Sequence, residues 1–310
     1  MPKNIKHFVD LSHISKEELR KILNLAIKLK KDKKREGQTK LLKGKNLAMI
    51  FEKNSTRTRV SFEVAMNQLG GHAIVMNKND MQLGKGETVE DTAKVLSRFV
   101  DGIMIRCNSH QTLLDLQENS TVPVINALSD LSHPCQIMAS IMTIEEHLKT
   151  ISGKKLAWFG DQNNVLSSYI HVAKMFNFEL AIASPKELNA CEAEIKKAVK
   201  SGAKITVTTD PKKAAKDADV LITDTWFSMG DSAENNDALK QKKINLLTAY
   251  QVNEKLMKLA KKNAIFTHCL PAYRGFEVSS HVIDSERSVV FDEAENRLHV
   301  QKAILIWAMS

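Results

Sequence analysis

The sequence predicts an α/β protein made of two doubly wound parallel-sheet domains joined by a long helix. Three observations carry this expectation. Short apolar runs of β character alternate with stretches of helical periodicity for most of the length. The 310 residues are enough for about two domains of roughly 100–200 residues, each able to close a hydrophobic core. The rhythm also restarts after a long apolar helical stretch near 134–149, the natural joint, which divides the chain into 1–148 and 149–310.

The elements follow in order. Ser15, with Glu18 three residues on, forms a capping box that opens SKEELRKILNLAIKLKK. The run KLKKDKKRE ends that helix, and its positive charge suits a helix C-terminus. The strands NLAMIF, HAIVM, DGIMIR and VPVIN come next, with helices near 57–69, 88–99 and 110–118 between them. Beyond the joint the strands are KLAWFG, ELAIAS, KITVT, DVLITD and AIFTHC, again separated by helical stretches. A last helix near 293–309 carries Ala294, Leu298, Ala303, Ile304 and Trp307 on or near one face.

Composition narrows the function. Hydrophobic residues at 43% and charged residues at 26% exclude disorder, collagen-like sequence and a small disulfide scaffold. The net charge of +9 points to an anionic substrate or a polyanionic partner. Aromatic residues are only 5%, which disfavours a base-stacking surface, and the basic residues outside 28–35 are scattered, so nucleic acid is not expected. Cys107, Cys135, Cys191 and Cys269 form no C-x-x-C pair and fit a reducing compartment. The N-terminal stretch lacks a signal-peptide core and no apolar run is long enough to cross a bilayer, so a cytoplasmic protein without a membrane partner is expected.

Ligands of open α/β sheets bind beyond the carboxyl ends of the strands, so the residues there are informative. After NLAMIFEK comes Asn54-Ser55-Thr56-Arg57-Thr58-Arg59, a strand-to-helix turn with three hydroxyls, free N–H groups and two guanidiniums, suited to a phosphate. The run DGIMIR ends in Arg106, a further guanidinium at the same sheet edge. His133-Pro134-Cys135-Gln136 opens the linking helix, where a ring N–H can meet a carbonyl oxygen and Gln136 a neutral amide. In the second half, Asn163 or Asn164 after KLAWFGD could bind a carboxylate or amide. Asp224 at the end of DVLITD could pair with an amine or cap a helix. A thiol, Cys269, follows AIFTH.

Two lookalikes fail. The turn after KLAWFGD lacks G-x-G-x-x-G, and GKGET at 84–88 is not a Walker loop, so no nucleotide is expected. His133, His268 and the cysteines lack the local spacing of a metal site, so neither metal nor cofactor is expected.

Taken together, Ser55-Thr56-Arg57-Thr58-Arg59, His133-Pro134-Cys135-Gln136 and His268-Cys269-Leu270-Pro271 resemble the carbamoyltransferases. Asp224-Thr225-Trp226 with Ser228-Met229-Gly230 resembles the ornithine-specific branch, and the match runs in order from about residue 5 to 308. The resemblance implies transfer of a carbamoyl group from carbamoyl phosphate to the δ-amine of ornithine, by direct displacement without a cofactor. It implies that Ser55, Thr56, Arg57, Thr58 and Arg106 hold the phosphate, and that His133, Gln136, Thr58 and Arg106 hold the carbamoyl end. Cys269 and Leu270 would line the reacting centre and Arg297 would close over carbamoyl phosphate. Asn164, Asp224, Ser228 and Met229 would bind ornithine. Gln82 would reach into a neighbouring copy's site, which implies a homotrimer, and the C-terminal helix would return to the first domain. The catalytic set on this reading is Arg57, Arg106, His133 and Cys269. For Cys269 itself, contact with the acceptor, a nucleophilic role and simple packing stay open. The rival acceptors are aspartate, putrescine and an acetylated ornithine.

Overall fold

The computed structural model describes residues 5–32, 40–53, 55–78, 81, 86–227 and 236–310. Gln82, Ser228 and Met229, and the end of the basic run at 28–35, lie outside the described residues. The chain forms two compact units, Met1–Ala139 with Glu295–Ser310, and Ser140–Ala294.

In the first unit, helix α1 (Lys16–Lys31) starts where the Ser15 hydroxyl accepts the Glu18 N–H at 3.2 Å. It buries Leu19, Ile22, Leu23 and Ala26, the stripe expected of one helix face. Then come β1 (Asn46–Phe51), α2 (Thr56–Gln68), β2 (His72–Asn77), α3 (Val89–Leu96), β3 (Gly102–Arg106), α4 (His110–Asn119) and β4 (Val124–Leu128). The four strands are parallel in the order β2-β1-β3-β4. Phe8 adds a parallel bridge to the outer side of β4, with Phe8 N–H donating to Val124 O and Asn126 N–H to Phe8 O, both at 2.8 Å. Gly71, entering β2, has no room for a side chain: a Cβ would lie 2.8 Å from the Lys45 carbonyl oxygen. Ala48, Ile50, Ile103, Ile105, Leu113, Leu116 and Val124 belong to one core cluster of this unit.

Helix α5 (Pro134–Leu148) begins in the first unit and continues into the second. The second unit adds β5 (Lys155–Phe159), α6 (Asn164–Phe176), β6 (Glu179–Ala183), α7 (Glu192–Lys200), β7 (Lys204–Thr208), α8 (Pro211–Ala215) and β8 (Val220–Thr223). After these come α9 (Asp237–Leu247), α10 (Glu254–Leu259), β9 (Ile265–Thr267) and α11 (Ser280–Ile283). Its strands are parallel in the order β7-β6-β5-β8-β9, the doubly wound arrangement expected.

Helix α12 (Val290–Met309) starts in the second unit and ends in the first. The sequence predicts a single apolar face here, and the helix departs from that. Ala294, Leu298 and Trp307 are only half-buried, whereas Asn296, Arg297, His299, Gln301 and Lys302 are buried beside Ala303 and Ile304. A helix enclosed on most sides has to find partners for its polar groups, so its hydrophobic spacing is a poor guide to what it touches.

In both sheets the chain reverses its winding beside the first strand, between β1 and β3 and between β5 and β8. At such a switch point the two following loops diverge and leave a crevice at the carboxyl ends of the strands. The loops there begin at Glu52 and after Arg106 in the first unit, and at Gly160 and Asp224 in the second.

Candidate active site

At the first switch point, β1 and β3 pair Phe51 with Arg106, and the Glu52 N–H donates to Arg106 O at 2.9 Å. Ser55 caps α2, its hydroxyl accepting the Thr58 N–H at 3.4 Å. That leaves Thr56 and Arg57 ahead of Thr58 in the first helical turn, where N–H groups outside the helical ladder and the helix dipole favour an anion. Thr56 and Arg57 are exposed, and Arg59 reaches along the helix to Glu63 at 3.7 Å.

Thr58 is the hub. It is buried, and its Oγ1 accepts from Arg106 Nη1 at 3.3 Å and from Arg297 Nη2 at 2.9 Å. Both hydroxyl lone pairs are then occupied, which commits the O–H proton to another acceptor. The Nη1 of Arg297 donates to Gln136 Oε1, so α12 and the first turn of α5 meet on this site. His133 immediately precedes α5 and is buried. Burial, with the Arg297 and Arg106 guanidiniums beside it, holds its imidazole well below the usual 6.5, so the ring is neutral at pH 7.

The turn carrying His133 is pinned from below. The Asn126 amide donates to Val9 O at 2.9 Å and to Ser132 Oγ at 3.1 Å, and the Cys135 thiol donates to Asn126 O at 3.3 Å. Burial pushes the Cys135 thiol up to about 12, which makes it a packing group rather than a nucleophile.

At the second switch point, β5 pairs Phe159 with Thr223 of β8, and the Thr223 hydroxyl donates to Phe159 O at 2.7 Å. Gly160 follows at φ +112°, a backbone only glycine adopts readily, and turns the chain into Asp161-Gln162-Asn163. Asn163 caps α6 and donates from Nδ2 to Asp224 Oδ2 at 2.7 Å. The other carboxylate oxygen of Asp224 accepts the Cys269 thiol at 3.0 Å. Asp224 is therefore oriented by two side chains rather than serving as a helix cap, one of the two roles its sequence position allowed. Leu270 lies at φ +58° before a cis peptide to Pro271, and its N–H donates to His268 Nδ1 at 2.8 Å. With Nδ1 accepting that N–H, the other ring nitrogen, Nε2, faces Glu277 at 3.3 Å, with both side chains fully buried. The His268 N–H donates to Glu293 Oε2 at 3.2 Å, and Ser140 donates to the other oxygen of Glu293.

Asp224, His268 and Cys269 each offer one potential metal-ligand atom within 4.8 Å of the others, a grouping invisible in the sequence spacing. Each already has a protein partner, however. A cation here would have to displace the Cys269–Asp224 hydrogen bond and one of the His268 contacts.

The site residues expected from the sequence thus fall into two sets. Ser55, Thr56, Arg57, Thr58, Arg106, His133, Gln136 and Arg297 belong to the first unit; Asn164, Asp224, Cys269 and Leu270 belong to the second. The sequence left Asn163 and Asn164 equivalent. The structure separates them, since Asn163 contacts Asp224 while Asn164 is the first residue of α6. Nothing in the sequence marks Asn126, Glu277 or Glu293. The first lies within a strand, and the carboxylates lie 9 and 25 residues beyond or away from the loop they support, so only burial reveals them.

Two family models match nearly the whole chain. The aspartate/ornithine carbamoyltransferase carbamoyl-P binding domain covers residues 6–146, and the Asp/Orn binding domain of the same family covers 152–308. The chain belongs to the aspartate/ornithine carbamoyltransferase family. Among its relatives, the ornithine carbamoyltransferase of Rhodopseudomonas palustris is 54% identical over 98% of this chain and 96% of its own. That of Nitrobacter winogradskyi is 55% identical over 100% and 99%. Of the solved structures, ornithine carbamoyltransferase from Pyrococcus furiosus matches at a TM-score of 0.91 and 48% identity, covering 98% of this chain and 97% of that one. The anabolic enzyme of Campylobacter jejuni matches at 0.89 and 46%, covering 98% and 99%. Within the part of the chain that matches the carbamoyl-P binding domain, the Arg106 guanidinium meets the Thr58 hydroxyl beside a neutral His133.

Proposed function

We propose that the chain transfers the carbamoyl group of carbamoyl phosphate to the δ-amine of L-ornithine, giving L-citrulline and phosphate. The observation that carries this reading is the Thr58 hydroxyl shared by Arg106 and Arg297 beside a neutral, buried His133. The full-length relatives named ornithine carbamoyltransferase support the choice of acceptor.

The phosphate lies over the start of α2, against Ser55, Thr56, Arg57, Thr58 and Arg106, with Arg297 closing over carbamoyl phosphate. The carbamoyl group faces His133, Gln136, Thr58 and Arg106. The neutral δ-amine attacks the carbonyl carbon and forms the C–N bond. Negative charge gathers on the carbonyl oxygen of the tetrahedral intermediate, where the Thr58 O–H, an Arg106 N–H and the His133 ring meet it. The intermediate collapses with cleavage of the C–O bond to phosphate, whose departing charge the arginines stabilise, and the proton lost by the attacking nitrogen balances that charge, so that the inorganic product is hydrogen phosphate. A neutral His133 serves here as a hydrogen-bond donor without adding a third cation to the cradle.

Asp224 pairs with the α-ammonium of ornithine and Asn164 with its carboxylate, while Ser228 and Met229 complete the acceptor site by family resemblance. Cys269 and Leu270 line the reacting centre. The thiol already donates to Asp224, which favours an acceptor-contacting role over a nucleophilic one, since the nucleophile would be the thiolate. Acting as a homotrimer, each copy would lend Gln82 to its neighbour. The outermost strand β2 and the exposed Ile74 and Phe99 support a covered face on the first unit. A cytoplasmic location accords with four free cysteines.

Citrulline formation with carbamoyl phosphate is the test, with ornithine, putrescine, aspartate and N-acetylornithine assayed side by side for their carbamoylated products. Ornithine should be preferred, and a higher kcat/KM with any other acceptor would replace this assignment. Arg57→Gly should lower turnover by about three orders of magnitude, the scale of losing a transition-state charge partner; near-normal rates would remove Arg57 from the cradle.

A further inference from the structure

We propose that Asn163 is a positioning residue: it sets the orientation in which the Asp224 carboxylate receives the acceptor. The inference rests on the reading of Asp224 as the partner of the ornithine α-ammonium.

The two ends of an asparagine amide look alike and have to be told apart by their hydrogen bonds. Here the helix decides. Asn163 Oδ1 accepts the N–H groups of Val165 at 3.0 Å and Leu166 at 3.2 Å, the N-cap of α6. The oxygen is thereby committed, and the NH2 end is the one that faces Asp224 Oδ2 at 2.7 Å. The neighbouring Gln162 fixes the turn from its other side, accepting the Cys191 N–H at 3.1 Å through Oε1. With the Cys269 thiol on Oδ1, each oxygen of Asp224 has one donor, and rotation about its terminal torsion would break both bonds. The carboxylate is only 8% exposed, so solvent is poorly placed to replace a lost donor.

Asn163 acts through Asp224, and the capping role can be separated from the orienting one. Asn163→Asp keeps a capping oxygen of the same reach but replaces the N–H donor with a second carboxylate. Asn163→Ser keeps a capping hydroxyl too short to span to Asp224. Both residues are good N-caps, so both variants should fold with thermal midpoints close to wild type.

The ornithine KM should rise about tenfold in Asn163→Ser, the scale of one hydrogen bond to a charged group, and further in Asn163→Asp, with the carbamoyl phosphate KM within about twofold of wild type. An unchanged ornithine KM in both variants would overturn the proposal, and so would an equal rise for the two substrates, which is what a merely structural role produces.

A substrate-free arm separates this from the choice of acceptor. Releasing Asp224 withdraws a carboxylate from the Cys269 thiol, so iodoacetamide labelling of Cys269, followed by peptide mass spectrometry, should be severalfold faster in Asn163→Ser. If wild type forms no citrulline from ornithine, the acceptor reading fails, and labelling alone decides. An unchanged rate would then refute the role of Asn163.

Discussion

Thr58 shows how much of this site turns on single atoms. A threonine hydroxyl has one proton and two lone pairs, and Arg106 and Arg297 take both lone pairs. Thr58→Val keeps the shape and removes the oxygen. It should lower kcat/KM for carbamoyl phosphate about 100-fold, the usual scale for loss of one transition-state donor, with little change in thermal midpoint. Steady-state kinetics on the purified variant would measure this, and a loss under about threefold would mean that the two guanidiniums hold their positions unaided. The hydroxyl-and-arginine turn at 55–59 was legible in the sequence because its chemistry is local: hydroxyls, guanidiniums and a helix start lie within five residues. The hub itself was not. Arg297 reaches Thr58 from 239 positions away, and only the family resemblance placed it at the donor.

At the scale of elements, strands and helices were readable from short apolar runs, as in the almost wholly buried β1, and from apolar groups at helical spacing, as in α1. Helix α12 was readable as a helix, but its buried face was not, because its burial is shared with Asn296, Arg297, His299, Gln301 and Lys302, residues whose types signal solvent in an isolated sequence. His299 has a measurable consequence. Burial first, then the Lys302 charge and more weakly Lys30, lower its imidazole from 6.5 to about 4, against the opposing pull of Glu295. The unfolded chain therefore binds a proton at higher pH than the folded one. Stability present above pH 6.5 is lost as pH falls from there to about 4, by roughly 3 kcal/mol for this group. His299→Gln should flatten that part of the stability profile, read from urea unfolding at pH 7 and pH 4.5. The same pH dependence as wild type would relocate the effect to other groups.

For the whole molecule, the two-sheet plan followed from alternation and length, and the candidate ligand positions from strand ends, since a doubly wound sheet leaves few other places for a small molecule. Which residues back those positions was hidden. Glu277 beneath His268 and Asn126 beneath Ser132 are recognised only once distant segments are adjacent. Assembly is the largest-scale expectation. Sedimentation equilibrium should give three copies of the chain, and a single copy that retains full activity would remove Gln82 of a neighbour from the mechanism.

The bridge of Phe8 to β4 has a practical bearing on handling this protein. That short stretch shields the last row of backbone amides and carbonyls on one margin of the first sheet, while Phe8 also stands edge-on to Trp307 at 6.0 Å. Trimming it would open a ready seam for strand-to-strand stacking between molecules, as well as loosening Val9, to which Asn126 is tied beneath the His133 turn. Affinity handles, and any shortening meant to aid crystallisation, are better kept clear of residues 6–10.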